Sequence, residues 1–420
     1  MIANCDTPGL LPISDALHAM LAAITAIDDS HWCPLSNASG RIVAVDVISP
    51  VMVPPADNSA MDGYALRADD LAAGDTLKLI GTALAGTPFS GQVHQGQCVR
   101  IMTGAIIPVG ADTVVMQENT RTLKATDADS DHLATIEFLQ HPKPGNSIRR
   151  TGEDITQGQI ILSKGCRLQP AHLALLASVG VSQLQVIRRI KVGLIATGDE
   201  LTPPGETLKP GAIYESNAYA LSAMLKEFGA DVINFGIVAD DKALLQEAFI
   251  QADKACDLVI SSGGVSVGEA DHVKDILQQL GQVNFWKVAI KPGKPFAFGK
   301  LSQAWFCGLP GNPVSSYVTF EQLVKPLLEK LAAQAARPPE YFIASATCDI
   351  KKRPGRADYQ RGIYFRDNKG TLWVKPFAKQ GSGIMSSITQ ANCYLVLAQD
   401  CSNIAQGQPV TIQPFNTLAY

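Results

Sequence analysis

Three hydroxyls, three glycines and two carboxylates crowd into one stretch of the chain, Ser261-Ser262-Gly263-Gly264-Val265-Ser266-Val267-Gly268-Glu269-Ala270-Asp271. An apolar run at 257–260 precedes them and a helical pattern follows. That order predicts a glycine-rich turn at the carboxyl end of a buried strand, where an open parallel sheet holds its ligand. The glycines let backbone approach a ligand closely, and the first turn of the next helix offers unpaired N–H groups to a phosphate or another anion. The spacing is not GxGxxG, and no GxxxxGK(S/T) occurs, which argues against an ordinary dinucleotide or P-loop ATP site. A tight strand-to-helix turn with Asp271 as its cap is the other use for the same residues.

Comparable positions after other predicted strands carry further acids: Asp199 and Glu200, then Asp240 and Asp241. With Glu269 and Asp271 they predict an acidic rim, whose repulsion a hard cation such as Mg²⁺ would relieve by bridging one or two carboxylates to substrate phosphates. Solvated acidic loops are the alternative. Lys287, Lys291 and Lys294 lie around two prolines and a glycine, a stiff lysine turn suited to an oxyanion. Pro310, Gly311, Asn312 and Pro313 close another strand and open a helix, with Asn312 at the cap and Pro313 at the first helical position. Polar turns of small residues also surround Asp57 and Asn58, Thr103, and Glu153 and Asp154. Arg353, Arg356, Arg361 and Arg366 precede a Gly-Ser-Gly segment containing Ser382, a second candidate oxyanion grip. Neither a catalytic triad nor HExxH is present, and the histidines form no metal-spaced pairs, which disfavours nucleophilic hydrolysis and zinc chemistry.

The elements expected to position these groups change character along the chain. Residues 13–27 have helical apolar spacing started by Ser14 or Asp15. Short β-type runs follow at 41–47, 77–81, 98–102, 113–117 and 133–139, then a helix at 170–179 ended by Gly180. From 190 to 331 strands alternate with helices at 218–228, 242–252, 271–280 and 313–331, which predicts a doubly wound α/β sheet. Alternating runs from about 340 onward predict a C-terminal β domain.

At 420 residues the chain has room for about three domains of ~150 residues each. A net charge of −4 without a long basic block disfavours nucleic acid and anionic membranes as main partners, so any anion site must be local. Nine scattered cysteines without a CxxC pair suit reduced thiols. With no signal-peptide pattern and no apolar run long enough to span a bilayer, a cytoplasmic location is expected.

Taken in order, DNSAMDGYA, RIMTGA, GEDI, ATGDEL, SSGGVSVGEAD, KPGKPFAFGK, GLPGNPVS and GSGIMSS resemble the motifs of the MoeA family of molybdopterin molybdotransferases, which includes the gephyrin E domain. The resemblance covers nearly the whole chain. It implies a multidomain α/β plus β protein: a split linker domain (1–50 and 148–189), an inserted β domain (51–147), a doubly wound molybdopterin-binding α/β domain (190–333) and a C-terminal β-barrel (338–420). It also implies a homodimer that inserts molybdate into adenylylated molybdopterin with Mg²⁺-dependent release of AMP. On that reading Ser262, Gly263, Gly264 and Ser266 hold the pterin phosphate, and Glu200 with Asp240 or Asp271 positions Mg²⁺. Lys287, Lys291, Lys294, Pro310, Pro313, Arg361 and Ser382 complete the cofactor and molybdate site, with Lys291, Lys294, Ser266, Arg361 and Ser382 gripping molybdate. Asp57, Thr103 and Asp154 would reach in from the partner subunit. A molybdopterin adenylyltransferase and acceptor molybdoenzymes are the implied partners before and after this step. The Ser-Gly-Gly turn is shared with those adenylyltransferases, which are much shorter. A non-catalytic cofactor carrier is a further alternative, against which the acidic rim and the lysines argue.

Overall fold

The computed structural model describes residues 9–123, 134–264 and 272–415. The opening helix, Ile13–Ala23, buries Ala16 and Met20 against the Lys325–Leu331 helix. It is shorter than the apolar spacing suggests. Ile24 is extended, and the chain then runs on so that the Ile27 N–H donates to the Leu331 carbonyl. Neither Ser14 nor Asp15 caps it: Ser14 bonds Asp15, and Pro12 stands at the cap with no side-chain bond.

Segments far apart in sequence then close on one another. Ser30–Pro34 pairs antiparallel with Gln183–Ile187, and Val47–Ile48 with Ile160–Leu162. Cys33, Val43, Leu162, Leu168, Leu176 and Val186 share one core beneath the Pro170–Ser178 helix. The run expected as a strand at 41–47 makes only bridges at Ile42 and Val43 before Val47–Ile48.

Between these segments lies a six-stranded sheet in the order Thr113–Met116, Gly63–Leu66, Gln97–Ile101, Thr76–Ala83, Thr135–Phe138, Thr120–Leu123. Alternation places Tyr64 and Leu66 in one apolar cluster and Ala65 in another, so the Gly63–Leu66 strand is covered on both faces.

The α/β sheet has the order Asp231–Val238, Lys191–Thr197, Leu258–Ser262, Trp305–Leu309, Pro295–Lys300, Gln282–Lys287. The first four strands are parallel, while Pro295–Lys300 runs antiparallel to both neighbours. The sheet is therefore mixed, not parallel throughout. Val192, Leu194, Leu258 and Ile260 face the Asn217–Phe228 and Pro313–Thr319 helices. Ile195 and Val259 face Lys242–Ala255 and His272–Leu280 on the other side. Burial on both faces is why these strands read as unbroken apolar runs. Gly229, left-handed at φ 95°, ends the Asn217–Phe228 helix as its sequence predicts. The expected continuous helix over 313–331 instead contains a π turn at Phe320–Val324. Pro326 follows at once, and its missing N–H and bulky ring require the local widening.

The C-terminal strands Ala357–Arg366, Leu372–Pro376, Phe342–Ala346, Pro409–Pro414 and Cys393–Leu397 pair in that order, and the last returns to the first, closing a barrel. Ile290–Lys291 pairs parallel with Ala357 and Asp358, stitching the lysine turn to the barrel. The described cysteines are free thiols, and no described helix is long and apolar enough to cross a membrane.

Candidate functional site

Parallel register brings three turns together at one edge of the α/β sheet. Ala196 lies beside Ser262, and Ser262 beside Leu309, so 197–200, 262–264 and 309–313 emerge side by side. Gly263 and Gly264 are left-handed at φ 96° and 67°. A β-carbon on Gly263 would sit 2.7 Å from the Thr197 carbonyl oxygen, and one on Gly264 2.6 Å from Val273 Cγ2. Both positions therefore require glycine. The Gly263 N–H donates to the Leu309 carbonyl (3.1 Å), and the Gly311 backbone faces Gly263. Ser266 and Asp271 lie outside the described residues.

A residue not singled out by its motif holds two of these turns in register. Asn217 Nδ2 donates to Ser262 Oγ and to the Gly311 carbonyl, each at 2.8 Å. Asn217 is itself the first residue of its helix, where the buried Glu215 carboxylate accepts from the Ala218 N–H at 2.7 Å. Asparagine after a strand reads as turn chemistry, and only the pairing of distant segments reveals the bridge. Asn217→Ala should leave the fold intact and raise the KM for a ligand held at these turns about tenfold, as loss of two ordering hydrogen bonds implies. Steady-state kinetics beside a thermal melt checks this; a lowered melting temperature with unchanged KM would make Asn217 merely structural.

At the same edge Asp199 Oδ1 accepts from the Asp240 N–H at 3.0 Å, joining the first two acidic loops. The exposed Glu200 carboxylate folds back over Gly198, 2.5 Å from where a β-carbon there would lie. Asp241 accepts from the Ala243 and Leu244 N–H groups and caps the Lys242–Ala255 helix. Among the described residues, no group of three or more His, Cys, Asp or Glu is placed to hold a metal unaided.

Lys291 Nζ lies 3.0 Å from Asp358 Oδ2 on the first barrel strand. Its side chain is 47 % exposed while that of Asp358 is 4 % exposed, so the lysine reaches from the surface to a buried carboxylate. The Gln360 amide also donates to Asp358, at 3.1 Å. Lys294 is exposed, with its carbonyl accepting from the Val288 N–H, and Lys287 ends its strand half-buried. Pro310 is buried, Pro313 begins the next helix, and Asn312 stands at the cap with no side-chain bond.

Of the four clustered arginines, only Arg361 is buried. Its Nε donates to Ser387 Oγ (3.0 Å), Nη1 to the Tyr359 carbonyl (3.3 Å) and Nη2 to the Gly381 carbonyl (3.3 Å). Burial lowers its proton affinity. The Ser382 carbonyl accepts from the Val314 N–H at 3.0 Å, so the barrel loop rests on the helix that follows the 309–313 turn.

A second cluster forms in and beside the inserted sheet. Asp57 accepts from the Thr151 N–H (2.8 Å), Thr151 Oγ1 (2.9 Å) and Arg150 Nη1 (2.6 Å). The Thr151 backbone bond, with help from Arg150, holds its carboxyl below the usual carboxylate range. Asp62 takes both the N–H and the hydroxyl of Thr103, at 2.7 and 2.8 Å, and the backbone bond lowers its carboxyl likewise. Asp154 is exposed, with its N–H on the Val53 carbonyl. These hydrogen bonds all run within the inserted region and its flanks. None of the bonds just described ties Asp57, Thr103 or Asp154 to the turns of the α/β sheet.

Three family models match successive parts of the chain. They are the MoeA N-terminal region (domain I and II) over 11–180, a probable molybdopterin binding domain over 193–330, and the MoeA C-terminal region (domain IV) over 344–415. A molybdopterin molybdenumtransferase of Haemophilus influenzae is 47 % identical over 410 residues, covering 97 % of this chain and 100 % of that protein. One of Bacillus subtilis is 33 % identical, covering 91 % and 89 %. The crystal structure of a molybdopterin biosynthesis moeA protein from Pyrococcus horikoshii OT3 superposes with a TM-score of 0.83 at 31 % identity, covering 97 % of this chain and all of that one.

Proposed function

The chain belongs to the MoeA family of molybdopterin molybdenumtransferases of molybdenum cofactor biosynthesis, and from that membership we propose that it inserts molybdate into adenylylated molybdopterin with Mg²⁺-dependent release of AMP. The observation that carries this reading is the edge where Gly263 and Gly264 lie against Thr197 and Gly311 under the Asn217 bridge. Close-lying glycine backbone at the carboxyl ends of parallel strands suits the approach of a phosphate.

Asp199, Glu200 and Asp240 offer hard oxygen donors at that edge, the chemistry Mg²⁺ selects. Because that ion keeps several waters and takes substrate oxygens, one or two carboxylates suffice. Glu200 and Asp240, with Asp271, would hold it. When bound, Mg²⁺ neutralises phosphoanhydride charge. The protein's own groups do the rest. The Ser262–Gly264 turn orients the phosphate, and Lys291 and Lys294 offset the second dianion, molybdate. Lys287, Pro310, Pro313, Arg361 and Ser382 shape the wall beside it. Asp57, Thr103 and Asp154 serve the site from the partner of a homodimer, in keeping with the absence of bonds from them to the α/β turns among those described. The protein acts in the cytoplasm between a molybdopterin adenylyltransferase and acceptor molybdoenzymes.

Purified protein with adenylylated molybdopterin and Mg²⁺ should release AMP only when molybdate is added, with active cofactor formed in step. Glu200→Gln should keep the fold and lower that rate about a hundredfold, the usual loss when a charge-stabilising group is removed. Tight pterin binding without turnover would instead make the protein a carrier.

A further inference from the structure

At the opposite end of the same sheet a cavity of about 200 Å³ is lined by Arg41, Arg167, Arg188, Arg189 and Lys226, with Glu227 the one acid among them. It lies where Gly40 and Arg167 meet the end of the Asn217–Phe228 helix and the residues just before the Lys191–Thr197 strand. That strand has seven residues, so at roughly 3.3 Å per residue the cavity stands about 20 Å from the Gly198 turn.

Two of the five cations are already matched. Arg188 binds both Asp257 oxygens at 2.7 Å and Asp29 at 3.0 Å, and Arg189 lies 3.7 Å from Asp231. Among the described residues Arg41, Arg167 and Lys226 make no carboxylate contact within 4 Å, although Asp231 acts on Arg41 and Glu329 on Arg167 from further away. Arg41 donates to the Ile187 carbonyl (2.9 Å) and meets His31 Nε2 at 3.3 Å. Arg167 donates to Gln334 Oε1 and to the Gly40 and Phe228 carbonyls, at 2.8–3.0 Å. These neutral partners use part of each fork and cancel no charge. Burial lowers the proton affinity of both arginines; Glu329 opposes this at Arg167 more than Arg337 adds to it, and at Arg41 the effect of Arg189 is opposed in part by Asp231. The helix end does not repel an anion strongly, because Arg167 takes the Phe228 carbonyl and the Gly229 N–H takes those of Leu225 and Lys226.

We propose that this cavity binds a phosphate-type dianion, free or as a phosphomonoester, between Arg41, Arg167 and Lys226, at a site separate from the molybdenum-inserting edge. Two guanidinium groups and an ammonium line the same cavity and carry the donors that phosphate oxygens take, and an arginine fork recognises them more specifically than a lysine does. The volume admits a phosphate with its first waters or a small ester.

Equilibrium dialysis with labelled inorganic phosphate at fixed ionic strength tests this on the intact protein. Wild type should show a saturable site that Arg41→Gln and Lys226→Gln each weaken about tenfold, the loss of one charge-assisted contact. Lys294→Ala, at the other edge, should retain it. Lys226 is exposed, so its variant stays informative if Arg41→Gln folds poorly. Competition by glycerol phosphate at similar concentration would identify the phosphate group itself as what is bound; much tighter binding of the ester would assign the site to esters. Absence of saturable binding, wild-type binding by both variants, or loss of binding in Lys294→Ala would overturn the proposal.

Discussion

Gly263→Ala is expected to lower cofactor formation by about a hundredfold, since displacing a reacting group by about an ångström costs that much. The backbone there has φ 96°, and an added β-carbon would meet the Thr197 carbonyl at 2.7 Å. That oxygen belongs to the neighbouring parallel strand and cannot move without disturbing the sheet. The 262–264 turn must therefore shift, carrying Ser262 away from Asn217 and the backbone away from the phosphate position proposed above. Left-handed strain adds a stability loss of roughly 1–3 kcal/mol. Gly205→Ala separates the two effects, for Gly205 has φ 99° with nothing within 4 Å of an added β-carbon. It should show the strain in a thermal melt and keep full activity. A Gly263→Ala enzyme as active as the Gly205→Ala one would falsify the assignment of this turn to substrate binding.

The turns were legible in the sequence for the reason they are sensitive to substitution. Buried parallel strands admit only apolar residues, so the run to Ile260 and the glycines after it stand out. The Asn217 bridge was not legible, because its partners lie 45 and 94 residues further along and become neighbours only through sheet register. The barrel strand Ala357–Arg366 was hidden by its composition. Asp358, Gln360 and Arg361 are polar yet buried, so no apolar alternation marks them; Asp358 pairs with Lys291, and Arg361 donates hydrogen bonds to main-chain carbonyls. Pairing of Ser30–Pro34 with Gln183–Ile187 across the inserted sheet is likewise invisible to any local pattern. What the sequence showed directly were groups whose chemistry depends on near neighbours.

Arg361→Ala should be among the most destabilising single changes in the protein, on the order of 3 kcal/mol, because it empties a large buried volume and strips donors from the buried Tyr359 carbonyl and Ser387 Oγ at once. The Tyr359 carbonyl and Ser387 Oγ would lose the arginine's donors in a space water enters poorly, Arg361 being 1 % exposed, while the Gly381 carbonyl would keep only the Ile384 N–H. The Gly381 carbonyl begins the loop whose Ser382 rests on Val314, so the barrel wall would loosen where it meets the 309–313 turn. A lower midpoint in urea and a weaker dependence of rate on molybdate are expected together. Ser382→Ala tells direct contact from support, because Ser382 binds Val314 through its backbone carbonyl and the substitution keeps that bond. If the loop touches the oxyanion, Ser382→Ala should raise the KM for molybdate with an unchanged urea midpoint. If Ser382→Ala is silent and Arg361→Ala alters only stability, the barrel supports the site without contacting molybdate, and the positive charge around that dianion falls to Lys291 and Lys294.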